Sequence, residues 1–201
     1  MEQREATHAA LRRLRLPLDL DDRLCKCCRA LDALGDHRAA CSTSGVLQTR
    51  AVPLERAWAR VVQEAGARTK THTYLRNLNL LDVGVRDDRR VEVIARGLAV
   101  HGGAQLAVDA TLVSPLTRNG QARPRAHWQD GAALKDAKKN KANTYPELLH
   151  SRRCRLVTAG MEVGGRWEED AYDFLLGFAK AKAEEAPKVL RGSATHRWLK
   201  R

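Results

Sequence analysis

No apolar run in this sequence is long enough to cross a membrane, because the longest are broken by Asp109 or by glycines. The opening residues, MEQREATHAA, are charged where a targeting segment would be apolar, so the expectation is a soluble, intracellular protein, nuclear or cytoplasmic, with no membrane partner. Internal repeats and long low-complexity tracts are absent, and so is any base-reading motif that would choose between DNA and RNA. Acids are in short supply. Against 36 Lys and Arg there are 24 Asp and Glu, which gives a net charge of +12 and a pI near 10.0, a balance that suits a polyanionic partner such as nucleic acid. At 201 residues the chain can bury one core with a small attachment, which excludes a large multidomain enzyme.

What is present reads as helices and strands in mixed order. EATHAALRRLRL (5–16) predicts a short basic helix that stops at Pro17. PLERAWARVVQEAG (53–66) predicts a helix with Pro53 in its first turn, an apolar stripe of Leu54, Ala57, Trp58, Val61, Val62 and Ala65, and Gly66 to close it. THTYL (71–75) and VEVI (91–94) alternate as strands do, QLAVDATLVSPL (105–116) is the strongest strand signal and ends at Pro115, and RLVTAGMEV (155–163) is a further strand candidate. Between the last two lie an Arg-, Gly- and Pro-rich loop (117–129), with Trp128 as one surface on which an unpaired base could stack, and a lysine-rich helix (131–145) with Asp130 as its cap. WEEDAYDFLLGFAKAKAEE (167–185) is amphipathic, with acids first and lysines last as the helix dipole prefers. The remaining residues read as a loosely held basic tail, and the lone Cys154 as a small buried hydrophobe.

Four of the five cysteines and one histidine crowd into CKCCRALDALGDHRAAC (25–41), a pattern that favours a metal over a disulfide framework. A tetrahedral zinc site needs four soft or borderline ligands, and Cys25, one or both of Cys27 and Cys28, His37 and Cys41 can supply them. Asp36 is expected to cap a helical turn starting at His37, whose face would carry His37 and Cys41 together, with Gly35 allowing the turn before it. With four protein ligands the ion would be structural.

Two carboxylates are out of place. Asp109 interrupts an otherwise apolar strand, and Glu92 does the same in RVEVIA; on adjacent strands they could share a divalent cation that prefers oxygen ligands. On the lysine helix, Leu134, Lys138, Lys141 and Tyr145 fall on one face, and Lys135, Lys138 and Lys139 are candidates for phosphate contact.

Taken in order, CKCCRALDALGDHRAAC, RRVEVIARGL, GGAQLAVDATLVSPL, KANTYPEL and EVGGRW resemble the C-terminal region of non-LTR retrotransposon polyproteins that carry a restriction-like endonuclease behind the reverse transcriptase. The resemblance spans roughly residues 23–198. It implies an α/β protein in which a zinc-stabilised segment (1–50) precedes a PD-(D/E)xK-like mixed-sheet nuclease core with flanking helices (51–186) and a basic tail (187–201). It also implies zinc on Cys25, Cys27, His37 and Cys41, with Cys28 standing where glycine is usual. The same resemblance implies Mg²⁺ on Glu92 and Asp109, and Lys141 with Tyr145 as the KxxxY helix motif of a domain that nicks target DNA. DNA, element RNA and the parent element's reverse transcriptase would be its partners. The sequence departs from the pattern in three ways: Val91 replaces a common proline, Glu92 replaces aspartate, and Thr111 occupies the place of the DxK lysine. A YxDD-like polymerase motif does not occur, so the resemblance is to a piece detached from its polymerase; Asp87 and Asp88 belong instead to a charged turn. A different class of protein, a non-catalytic zinc-containing nucleic-acid-binding module or a decayed fragment, uses the same residues as structure.

Overall fold

A computed structural model of the chain describes residues 10–11, 14–19, 23–43, 46–98 and 103–200. The four strand segments become a sheet in the order β1 (Arg68–Tyr74), β2 (Arg90–Arg96), β3 (Gln105–Val113), β4 (Cys154–Glu162). β1 pairs antiparallel to β2 and β2 antiparallel to β3, whereas β4 pairs parallel to β3 after a helical crossover, as a parallel connection requires. β3 is central and is buried from Leu106 through Ala110, which accounts for its near-continuous apolar sequence.

Side chains of successive strand residues point to opposite faces, so each face of the sheet gathers its own core. On one face Val93, Ala95, Leu106, Val108 and Ala159 meet helix α2 (Val46–Glu64) through Leu54, Trp58 and Val62, and helix α5 (Glu169–Ala183) through Ala171, Phe174 and Phe178. On the other, Ile94, Ala107 and Cys154 meet Tyr145 and the short α4 (Pro146–His150) through Leu148. Helix α3 (Ala132–Thr144) lies over this second face and approaches closely at Gly160, where an added Cβ would stand 3.1 Å from Leu134 Cδ2 and 3.2 Å from Glu168 Cβ. Glycine at 160 therefore sets how near α3 comes to the strands.

Trp58 is the hinge of the first core: it is 2 % exposed, its ring stacks on Phe174 at 5.9 Å and meets Trp167 edge-on at 5.9 Å. Trp58→Ala is expected to lower unfolding stability by about 3–5 kcal/mol, read from urea unfolding. A loss below about 1 kcal/mol would mean that the helix packs elsewhere.

Several expectations differ from the structure. Helix α2 starts at Val46, so Pro53 lies inside it, and the boundary drawn at residue 50 cuts through one continuous helix. An interior proline forfeits a hydrogen bond at a cost of about 3 kcal/mol, which burial of Leu54, Trp58 and Val62 offsets. Asp130 does not cap α3; Gly131 holds the N-cap position, and Asp130 pairs with Arg166 at 2.8 Å. The tail is folded, with a 3₁₀ turn at Lys188–Leu190 leading into α6 (Arg191–Leu199), because Trp198 finds a place against the first core. The basic helix expected at 5–16 lies largely outside the described residues. Among the described residues no helix is long and apolar enough to cross a membrane.

Candidate metal centre and acid pair

The cysteine segment is a tight hairpin followed by one short helix, α1 (Asp36–Ala40). Leu24 and Ala30 bridge, Cys25 N–H donates to Arg29 O at 2.8 Å, and Cys28 N–H donates to Cys25 O at 2.8 Å. This curl presents Cys25 and Cys27 toward His37 and Cys41, whose backbones are joined by a 2.8 Å helical bond from Cys41 N–H to His37 O. Cys25 Sγ lies 3.8 Å from Cys41 Sγ, Cys27 Sγ lies 3.2 Å from His37 Nε2, and all four ligand atoms fall within 4.8 Å of one another. Three thiols and an imidazole in this arrangement can hold a zinc ion.

Of the two candidate neighbours the structure brings in Cys27 and leaves Cys28 out. Cys28 is exposed and has φ +64°, the left-handed conformation that favours glycine. It stands outside the group of four ligand atoms.

Asp36 does not cap α1, contrary to expectation. Asp32 does: its carboxylate accepts from Leu34 N–H at 3.1 Å, Asp36 N–H at 2.9 Å and His37 N–H at 2.7 Å. Burial pushes the Asp32 carboxyl up, but these backbone donors outweigh it and hold its pKa below the usual value. Asp36 is instead paired with Arg15 at 2.7 Å. Asp32 was legible only as an Asp placed three residues before a glycine, a weak turn signal.

The second cluster forms on the α3 side of the sheet. Val93 and Val108 are the last residues paired across β2 and β3; Glu92 and Asp109 come next on the two strands, near enough for the charge of Asp109 to act on Glu92. Asp109 is wholly buried; Lys141 Nζ lies 2.7 Å from its Oδ1 and 2.9 Å from its Oδ2, and Thr111 Oγ1 donates to Oδ1 at 2.9 Å. A buried carboxylate needs such pairing. Glu92 lacks it: its Oε2 is buried with no hydrogen-bond partner. Burial, and then the negative charge of Asp109, push the Glu92 carboxyl up to about 7, against the pull of Lys141. Tyr145 closes the cluster, its hydroxyl donating to Arg90 O at 2.7 Å. Burial first, and then the charges of Asp109 and Glu92, push this phenol up and keep it protonated.

The structure thus brings together Glu92, Asp109, Lys141 and Tyr145, and adds Thr111. Lys138, one turn earlier on α3, points to Glu168 at 3.4 Å and also to Asp170, so two acids already occupy it. Lys135 and Lys139 are exposed, as is Trp128 at 66 % in its loop. Cys154 is buried, which pushes its thiol up to about 11 and leaves it inert.

A carboxyl that titrates near 7 when folded and near 4.5 otherwise opposes folding as its charge appears. Below pH 4.5 it is protonated in both states and contributes nothing; between 4.5 and 7 stability is progressively lost. In the absence of added Mg²⁺, Glu92→Gln is therefore expected to be more stable than wild type at pH 8 by roughly 2–3 kcal/mol, with little difference at pH 4.5. Urea unfolding at the two pH values checks this, and an equal difference at both would show that Glu92 does not titrate in that range.

No family model matches the chain, and no curated protein matches it in sequence.

Proposed function

We propose that the chain is a Mg²⁺-dependent DNA endonuclease domain of a retrotransposon-derived protein, built on a PD-(D/E)xK-like core behind a zinc-stabilised segment. The observation that carries this reading is the meeting of Glu92, Asp109 and Lys141 on one face of the sheet, with a buried Glu92 oxygen that no hydrogen bond satisfies. With Glu92 ionised, two carboxylates against one ammonium leave a net negative charge and an unsatisfied Oε2, a donor set that fits a hard divalent cation. Glu92 and Asp109 would hold it. Bound there, Mg²⁺ supplies charge neutralisation at the phosphate and a water of lowered pKa.

The protein's own residues supply orientation. Lys141 places its Nζ beside the acid pair, where developing negative charge would be met. Thr111, in the place of the pattern's lysine, orients Asp109 through its hydroxyl. Tyr145 acts as a positioning residue: its bond to Arg90 O fixes β2 two residues before Glu92. Lys135, Lys139 and the basic surface attract DNA, an attraction that weakens as salt rises.

A second reading, a non-catalytic nucleic-acid-binding module, is favoured by one feature: both Asp109 oxygens are already engaged, by Lys141 and Thr111. Nicking of supercoiled plasmid with added Mg²⁺, by wild type beside Asp109 and Lys141 variants, separates the two. Salt-sensitive binding without cleavage would leave the acid pair as structure.

A further inference from the structure

His37 is gripped from two parts of the chain at once. Its backbone N–H is held by Asp32 at 2.7 Å within the cysteine segment, while its ring Nδ1 lies 2.7 Å from the carbonyl oxygen of Arg118, in the loop that follows β3. A carbonyl can only accept, so Nδ1 carries the proton and Nε2 presents its lone pair to the thiols, 3.2 Å from Cys27 Sγ. The Arg118 carbonyl is aimed by a tight turn. Thr117 N–H donates to Gln121 O at 2.7 Å, Gly120 N–H donates to Thr117 O at 3.0 Å, and Gly120 takes φ +75°. A second link crosses at the same place, from the Arg29 guanidinium in the hairpin to Asn119 Oδ1. Around these links an open cavity of about 630 Å³ lies between the two parts, lined by Arg15, Asp32 and Leu34 on one side and Arg118 and Gly120 on the other.

We infer that the 117–120 turn is an outer part of the zinc centre, and that zinc occupancy orders the arginine-rich loop it belongs to. A histidine that ligates through one nitrogen is oriented by the partner of the other, and such partners typically alter metal affinity by 10–100-fold. The dependence runs both ways. With zinc on Nε2 the imidazole is fixed and offers Nδ1–H to Arg118; without it the ring is held only through Nδ1, and the turn keeps a firm tie to the cysteine segment only through Arg29 and Asn119. This coupling rests on the zinc-binding cluster alone and is independent of the endonuclease reading.

Gly120→Val changes no ligand but places a β-branched residue in a left-handed conformation it does not tolerate, whereas Gly120→Asn retains that conformation. Zn²⁺ affinity of the full chain, measured by competition with a chromogenic chelator, is expected to fall 10–100-fold for Gly120→Val and to stay within about threefold of wild type for Gly120→Asn. Equal affinity in a folded Gly120→Val protein overturns the inference. Should that variant fail to fold, hydrogen exchange on the wild type decides alone: stripping zinc with EDTA is expected to speed exchange across 116–123 by about tenfold or more while β3 and β4 keep their protection. Unchanged exchange across 116–123 overturns it as well.

Discussion

Asp109→Ala is expected to reduce Mg²⁺-dependent nicking of supercoiled plasmid by at least about 10²-fold, the scale on which loss of one pre-organised charged group in a closed site acts. Lys141→Ala should also lose nicking, for a different reason and with a different effect on the fold. Removing the lysine strands Asp109, which is wholly buried, without its cation, and is expected to lower stability by about 3–5 kcal/mol. Removing the aspartate leaves a lysine whose side chain is 27 % exposed and can turn to water, so the fold suffers less. The paired variant Asp109→Asn with Lys141→Met takes away both charges and is expected to recover most of that stability while remaining inactive. Nicking that persists in the stable paired variant would show that the acid pair serves structure alone.

Cys41→Ser is expected to drop bound zinc from about one equivalent per chain to a small fraction, and to unfold the 23–43 segment, because structural zinc contributes on the order of 10 kcal/mol to segments too small to fold themselves. Metal analysis together with limited proteolysis reads both outcomes. Cys27→Ser should behave the same way, whereas Cys28→Ser should keep its zinc. Cys28→Gly goes further: at φ +64° a glycine relieves a conformational cost of about 1 kcal/mol, so this variant should hold zinc and unfold slightly later than wild type. Zinc lost from Cys28→Ser and kept by Cys27→Ser would reverse the assignment of ligands. A folded, reduced wild-type protein without zinc would remove the site altogether.

Much of this was legible along the chain. Period-two alternation marked β1 and β2 and an apolar run marked β3, because a strand buried on one face or both must declare it in its side chains. Clustering marked the metal centre, since four ligands within 17 residues can meet without help from the rest of the fold. Glu92 and Asp109 stood out because a carboxylate among apolar strand residues has to be paired or bound.

Other features depended on atoms that sequence order does not bring together. Which thiol joins Cys25 turns on one backbone torsion at Cys28, set by the closure of the hairpin. Lys138 and Lys141 are equivalent in composition and lie on neighbouring turns of α3. The rotation and depth of that helix, set where Leu134 rests against Gly160, send one lysine to Glu168 and the other to Asp109. The Arg118 carbonyl, a group every residue possesses, gains a role only because the loop after β3 folds back onto His37 in α1, 81 positions away. Side-chain chemistry and local periodicity were therefore determined by the sequence itself, whereas partner choice among like groups was decided by the tertiary structure, because it depends on distances of a few ångströms between elements far apart along the chain.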